Sequence, residues 1–150
     1  MDYSNVSSRW NFPNLYYDFE IDGGQGKRVH FVFIDTILLT GNSDVLDENG
    51  NVVKERTGRE LGEHFRENAD EEMRMKADEQ WDWIESTLEK STAEFVIVAG
   101  HYPVYSICSH GPTSELVDKL IPLLEKYDVT AYLNGHDHCA QTCLLYTSDA

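Results

Sequence analysis

The sequence predicts an α/β fold in which helices connect parallel strands. Two short apolar runs, at 94–100 (EFVIVAG) and 129–135 (VTAYLNG), are typical of buried parallel strands. Amphipathic helices are predicted at 77–90 and 114–127, before and after the first of these runs. Because strand, helix and strand follow one another, the connections must cross over a sheet, and the predicted architecture is an α/β sandwich.

The remaining elements fit around this unit. The β-rich runs at 15–21 and 28–35 are joined by DGGQGK, whose glycines suit a hairpin turn. Residues 47–75 are highly charged and rich in glycine, which predicts a solvated excursion with a short helix near its end. We interpret His30 as a strand residue and His64 as part of the solvated surface.

The two helices carry further detail. Apolar residues at helical spacing in 77–90 are interpreted as core packing: Trp81, Ile84 and Leu88. Pro122 lies inside the second helix, where it predicts a kink or a break because proline lacks the donor for the helical hydrogen bond.

Composition limits the function classes. The chain has 150 residues, enough for one domain or part of a larger one. With 27 acidic and 12 basic residues, its formal net charge is −15. Such a surface repels nucleic-acid backbones, so nucleic acid is not expected as a partner. A phosphorylated substrate stays compatible with this charge, since a bound metal ion can dominate a pocket locally.

Targeting signals are sparse. No apolar run approaches the ~20 residues that span a bilayer, and no signal peptide follows Met1. The three cysteines, Cys108, Cys139 and Cys143, have no zinc-type spacing and do not define a compartment. Asn5 begins a glycosylation acceptor pattern, which we interpret as a chance occurrence.

Histidines follow both predicted parallel strands, in VAGHYP and in LNGHDH. Ligands bind beyond the carboxyl ends of strands in open α/β sheets, so His101, His136 and His138 are expected to converge. The i, i+2 spacing of the last two would direct both imidazoles to one side if the chain is extended. Imidazole is a common metal ligand, and these residues therefore predict a metal site; two unrelated solvated loops are the alternative.

Several longer sequence segments are similar to those of a known family. These segments are RWNFPNLYY, DTILLTGNSD, QWDWIESTLEK, VAGHYPVYSICSHGPT and VTAYLNGHDH. They resemble the purple acid phosphatases, and more narrowly the small, tartrate-resistant type, from about residue 3 to residue 141. The resemblance implies that the chain is the C-terminal portion of a metallophosphoesterase α/β/β/α sandwich with mixed sheets.

The resemblance also assigns roles to individual residues. His101 and His136 match two ligands of the divalent ion in the family's dinuclear centre, and His138 matches a ligand of its ferric ion. His110, in SHGPT, matches a catalytic histidine over the substrate pocket that binds phosphate or protonates the leaving alkoxide. Asp137 has no ligand counterpart and is expected to turn away from the metal side.

The implied activity is that of an acid phosphatase. It would hydrolyse phosphate monoesters by attack of a metal-bound hydroxide at a centre holding Fe(3+) and a divalent ion, Fe(2+), Zn(2+) or Mn(2+). The implied substrate is a small phosphomonoester or a phosphoprotein, without nucleic acid or membrane as partner, and the oligomeric state is not indicated. A phosphodiesterase and a non-catalytic binding protein of the same fold are the alternatives.

Family members of this type are secreted or lysosomal/vacuolar, and that localisation is implied here. In the family, cysteines at the positions of Thr40 and Glu115 often form a disulfide. Because both are replaced here, these positions do not support that localisation. The family's other metal-binding elements match nothing in this chain. Residues 1–142 are therefore expected to be a partial domain without its N-terminal part, inactive alone. Residues 143–150 (CLLYTSDA) are interpreted as a tail translated from a sequencing adapter.

Overall fold

The structure is a computed structural model. It describes residues 12–41, 45–46, 52–54 and 71–144. Asn5 and His64 lie outside the described residues, as does most of the predicted excursion at 47–75. The interpretations of these residues therefore stay predictions.

A hairpin opens the described fold, as the sequence predicts. Strand β1 (Tyr17–Gly24) pairs antiparallel with β2 (Lys27–Phe33). The turn between them uses positive φ at Gly24, Gln25 and Gly26, with values of 82°, 56° and 77°. Glycine adopts this conformation without steric cost, which explains why the glycine-rich DGGQGK segment makes the turn.

Two parallel strands extend this hairpin into a mixed sheet. Strand β5 (Phe95–Ala99) pairs parallel with β2, and β6 (Ala131–Leu133) pairs parallel with β5, giving the order β1-β2-β5-β6. The register aligns Phe33, Ala99 and Leu133, so the carboxyl ends of the three parallel strands lie at one edge. The predicted α/β class and its mixed sheet are confirmed.

The other elements are α1 (Thr36–Leu39), β3 (Val45–Leu46), β4 (Val52–Lys54), α2 (Glu71–Lys90) and α3 (Ser114–Lys126). Helix α2 begins before residue 77, where the apolar pattern begins, because Glu71 and Glu72 occupy a first turn that favours negative charge. Helix α3 continues through Pro122, so the predicted break is absent from it. Within the described part of the chain, no helix has both the length and the apolar character required to cross a bilayer.

The core lies between the two long helices and one face of the sheet. Its side chains include the predicted Trp81, Ile84 and Leu88, together with Val32, Val98, Leu116, Leu120 and Leu124. The prediction that α2 packs through these residues is confirmed. His30 is also buried on this face, with Nδ1 2.8 Å from Ser91 Oγ and Nε2 2.9 Å from Asp18 Oδ2.

The opposite face of the sheet is only partly covered. Its aromatic side chains stack on one another, with ring centroids of Tyr17 and Phe33 4.9 Å apart and those of Phe19 and Phe31 5.4 Å apart. Leu133 is 53% exposed, and no buried hydrophobic core covers this face within the described residues. The prediction that β5 and β6 are buried strands is confirmed for Val96 and Val98 of β5 and wrong for β6, whose residues are half-buried or exposed, because an apolar run does not reveal what covers each side.

Candidate functional site

The candidate site lies at the carboxyl edge of β2, β5 and β6. Three loops meet there, at 34–36, 100–113 and 134–141. Each begins where a parallel strand ends, which is the position at which open α/β sheets bind ligands. All four sequence-predicted site residues belong to the second and third loops.

The first loop is a rigid support and supplies no ligand. The Asp35 carboxylate caps α1, since Oδ1 accepts hydrogen bonds from the amides of Ile37 and Leu38, each 3.0 Å long. The buried Gln80 side chain accepts from the Asp35 amide at 2.8 Å. Backbone and side chain of Asp35 are therefore both occupied in fixing the start of α1.

Thr36 connects the first loop to the second by a hydrogen bond. Its buried hydroxyl accepts a 3.0 Å hydrogen bond from the Tyr102 amide. A Cβ at Gly100 would lie 2.6 Å from Thr36 Cγ2 and 2.7 Å from the Tyr132 hydroxyl. Position 100 therefore excludes any side chain, and this close approach explains the glycine before His101.

Tyr132, on β6, also binds the backbone of the second loop. Its hydroxyl donates a 2.7 Å hydrogen bond to the Tyr102 carbonyl oxygen. Burial raises the pKa of the Tyr132 phenol, which keeps the donor protonated. The amide and the carbonyl group of Tyr102, the residue after His101, are thus held by side chains from two other elements.

His101 and His136 come together across the sheet edge. The Gly135 amide donates a 3.1 Å hydrogen bond to the His101 carbonyl oxygen, which continues the pairing of β5 and β6 beyond the strands. Nε2 of His101 then lies 3.1 Å from Nδ1 of His136. The Tyr102 ring packs edge-on against the His136 ring, with centroids 4.6 Å apart. The structure therefore brings together two histidines separated by 35 positions in the chain.

The environment of His136 favours its neutral form. Burial lowers the pKa of this imidazole, and the neighbouring His110 and His101 lower it further, while Asp137 acts in the opposite direction. Its Nε2 is buried and has no hydrogen-bond partner among the described residues. The neutral imidazole is the form that binds a metal ion, and the nitrogen of His136 that faces His101 is the other one, Nδ1.

The turn after His136 is not extended, in contrast to the geometry behind the expected alternation. His136 and His138 have φ values of 75° and 52°, in the left-handed region that residues other than glycine rarely adopt. His138 is exposed, and no hydrogen bond or ring contact within the described residues joins it to the other histidines. The structure therefore brings His101, His136 and His110 into direct contact, and His138 lies near enough to His136 to lower its pKa electrostatically.

His110 lies over this pair, and Asp137 lies beside it. The rings of His110 and His136 have centroids 4.4 Å apart. The buried Asp137 carboxylate accepts a 3.3 Å hydrogen bond from the His110 amide, and its Oδ1 is 4.0 Å from His110 Nε2. Asp137, expected only to turn away from the metal side, is thus a contact of His110 that the sequence did not reveal.

The site also contains a disulfide that was not predicted from the sequence. Cys108 and Cys139 are bonded, and Cys143 is free and exposed. Nearby, the Gln141 amide accepts from the Ile107 backbone amide at 3.1 Å and donates to Ser106 Oγ at 2.7 Å. The signal available was that each paired cysteine lies close to one of the predicted site histidines.

The donor atoms fit a metal ion in part. Nitrogen atoms 3.1 Å apart can be two ligands of one ion, since Zn–N distances of about 2.0–2.1 Å allow that separation. No group of three or more His, Cys, Asp or Glu side chains in the described residues is arranged to hold a metal ion. Among the described residues, His101 and His136 therefore supply two nitrogen atoms placed closely enough to share one ion.

Comparisons with known proteins give the family. The family model for the calcineurin-like phosphoesterases matches residues 2–140. Tartrate-resistant acid phosphatase type 5 from Rattus norvegicus is 39% identical over 140 residues, covering 93% of this chain and 38% of the relative. Purple acid phosphatase 17 from Arabidopsis thaliana is 47% identical over 58 residues, covering 39% of this chain and 17% of the relative.

A solved structure has a similar fold. GAP50, the anchor in the inner membrane complex of Plasmodium, has a TM-score of 0.60 and 26% sequence identity, covering 85% of this chain and 33% of its own. The chain spans about two fifths of the length of the acid phosphatase that it matches. The predicted resemblance is confirmed, and with the family model matched over most of its length the chain belongs to the calcineurin-like phosphoesterase family.

Proposed function

We propose that the protein to which this chain belongs is an acid phosphatase that hydrolyses phosphate monoesters. The observation that carries the proposal is the meeting of two strand-end histidines, His101 and His136, with nitrogen atoms 3.1 Å apart. Both stand in a chain that is 39% identical to tartrate-resistant acid phosphatases over 140 residues. Geometry and similarity together favour phosphoester hydrolysis.

The proposed centre is dinuclear, with Fe(3+) and a divalent ion, Fe(2+), Zn(2+) or Mn(2+). When bound, these ions supply positive charge that attracts phosphate and makes water more acidic. His101 and His136 would hold the divalent ion, and His138 would turn towards the ferric one. Burial lowers the pKa of the His136 imidazole, which favours the neutral form that can act as a ligand.

His110 is proposed to act on the phosphate or on the leaving oxygen. Its side chain is 46% exposed and faces the same sheet edge as the histidine pair, so a substrate can reach it. As imidazolium it would bind a phosphate oxygen or donate a proton to the departing alkoxide. Hydrolysis of the small phosphomonoester or phosphoprotein that serves as substrate would then release the alcohol and inorganic phosphate, with water supplying the new oxygen on phosphorus.

We further propose that residues 1–142 are a partial domain and that 143–150 are an adapter-derived tail. The pair of histidines needs further ligands, which agrees with a chain that matches 38% of its relative. The 150-residue chain alone is then inactive. Secretion or a lysosomal or vacuolar location is proposed as well, and a disulfide such as Cys108–Cys139 is typical of proteins in oxidising compartments.

A second candidate function is non-catalytic anchoring. The similar structure of GAP50 favours it, because that protein is described as an anchor in a membrane complex. An anchor of this fold needs no complete metal centre. The two candidates therefore differ in whether the complete protein carries the remaining metal ligands.

The test is to sequence the complete transcript, express its reading frame, and measure hydrolysis of p-nitrophenyl phosphate at acid pH. We expect turnover that falls by about 100-fold or more in His101→Ala and His136→Ala, since metal-ion catalysis depends on its ligands. His30→Asn is the matched control, because His30 is buried on the helix-covered side of the sheet and outside the three loops. A complete protein that folds, lacks the remaining metal ligands and does not hydrolyse the ester would favour the anchor.

A further inference from the structure

Two loops of the candidate site are cross-linked by their own side chains. One loop carries His110, and the other carries the turn from His136 to His138. The Cys108–Cys139 disulfide joins them over 31 positions of the chain. The cysteines lie two residues before His110 and one residue after His138.

Hydrogen bonds reinforce the same connection. Gln141 accepts from the Ile107 amide at 3.1 Å, and Asp137 accepts from the His110 amide at 3.3 Å. Gln141 also donates to Ser106 Oγ at 2.7 Å. Three bonds from the third loop therefore reach the segment 106–110, in addition to the covalent one.

The other hydrogen bonds that the structure describes for this segment are local: Cys108 donates to Ser106, Gly111 donates to Cys108, and Thr113 donates to Val104 at the base of the loop. Ile107 is 95% exposed, and Ser109 and His110 are exposed as well. Exposed loops without buried apolar contacts open easily, so the position of such a loop depends on its specific links. By contrast, the backbone of Tyr102, next to His101, is held by the side chains of Thr36 and Tyr132.

We infer that the Cys108–Cys139 disulfide is a positioning element of this site, which holds His110 over His136. Gln141 supports it by fixing the backbone at Ile107. The inference rests on the proposed function only in the role that it gives to His110. The arrangement involves only the chain's own side chains, so it is tested without substrate or metal.

The test compares the oxidised chain with a Cys108→Ser, Cys139→Ser double variant. Both carry Cys143→Ser, which removes the free exposed thiol and with it any exchange of disulfide partners. Proton NMR reads the contact between the rings of His110 and His136, whose centroids lie 4.4 Å apart. We expect this contact to be lost in the double variant and the contact between His101 and His136, with centroids 5.0 Å apart, to remain.

Amide hydrogen exchange gives an independent readout. Loss of the disulfide should speed exchange of the His110 amide by about tenfold or more, since a local opening then exposes it. The Gly100 amide, bonded to the Leu133 carbonyl at 3.0 Å, should exchange at an unchanged rate. Persistence of the His110–His136 contact and of slow His110 exchange without the disulfide would overturn the inference.

Fast exchange of the Gly100 amide would reveal that the double variant fails to fold. Two further measurements then test the inference on a folded chain. In the first, a phosphine reduces the folded chain; phosphine and water become phosphine oxide, and the disulfide becomes two thiols. The same losses at His110 are expected. In the second, Gln141→Ala in the oxidised chain should free the Ile107 amide and leave the His110–His136 contact intact. Loss of the His110–His136 contact in Gln141→Ala would overturn the inference, because the side-chain amide of Gln141, rather than the disulfide, would then position His110.

Discussion

The loop after β5 and the loop after β6 both carry a histidine to the same sheet edge, but they are held in different ways. Around His101, Thr36 and Tyr132 approach Gly100 so closely that no side chain fits there. Around His136, a Cβ at Gly135 would meet nothing within 4 Å, and the following turn is exposed apart from Asp137. One half of the site is therefore fixed by packing, and the other by individual links.

The strongest test of this difference substitutes the two glycines. Gly100→Ala should lower the free energy of unfolding by about 2–3 kcal/mol, because the new methyl group forces buried neighbours apart. Gly135→Ala, the matched control, should change it by less than about 0.5 kcal/mol, since its site is open. Urea denaturation measures both, and equal losses at the two glycines would remove the distinction.

A smaller effect is expected at the hydrogen bond that holds the loop after β5. Thr36→Val keeps the shape of the side chain and removes the acceptor of the buried Tyr102 amide. The loss should be about 1–2 kcal/mol of unfolding free energy. Thr36→Ser keeps the hydroxyl and should retain the slow exchange of the Tyr102 amide, whereas Thr36→Val should not. Slow exchange of that amide in Thr36→Val would show that other contacts hold the loop.

The smallest expected effect is a dependence of stability on pH. The pKa of His136 is lowered from its ordinary value of 6.5, chiefly by burial, so the native chain binds this proton less readily than the unfolded chain. The free energy of unfolding of the metal-free chain should therefore decrease as the pH falls below 6.5. Denaturation at a series of pH values, repeated with His136→Gln, should show a flatter dependence in the variant. An unchanged dependence would assign the effect to other groups.

Much of this fold could be predicted from periodicity and strand order. The hairpin, both helices and the two parallel strands follow from local apolar patterns and turn residues, which depend on near neighbours in the chain. Helix α2 begins at Glu71, earlier than predicted, because the apolar pattern does not mark a charged first turn. The exposure of Leu133 could not be predicted, since it depends on what covers the far side of the sheet.

The candidate site could also be predicted from the sequence only in part. The convergence of His101 and His136 follows from parallel strands that share one edge. The contact of Asp137 with His110 depends on positive φ at His136 and His138, which residue identity alone did not indicate. The roles of His110 and His138 stay predictions from the family resemblance.

We propose that His101 and His136 bind one metal ion together. A Zn²⁺ titration of the 150-residue chain, followed by the NMR signals of the histidine rings, measures this binding. We expect the signals of both residues to shift together with one midpoint, and His101→Ala to abolish the response of His136, because the two nitrogen atoms share one ion. A response of His136 that is unchanged in His101→Ala, or Zn²⁺ binding that moves neither signal, would show that the two histidines do not share an ion.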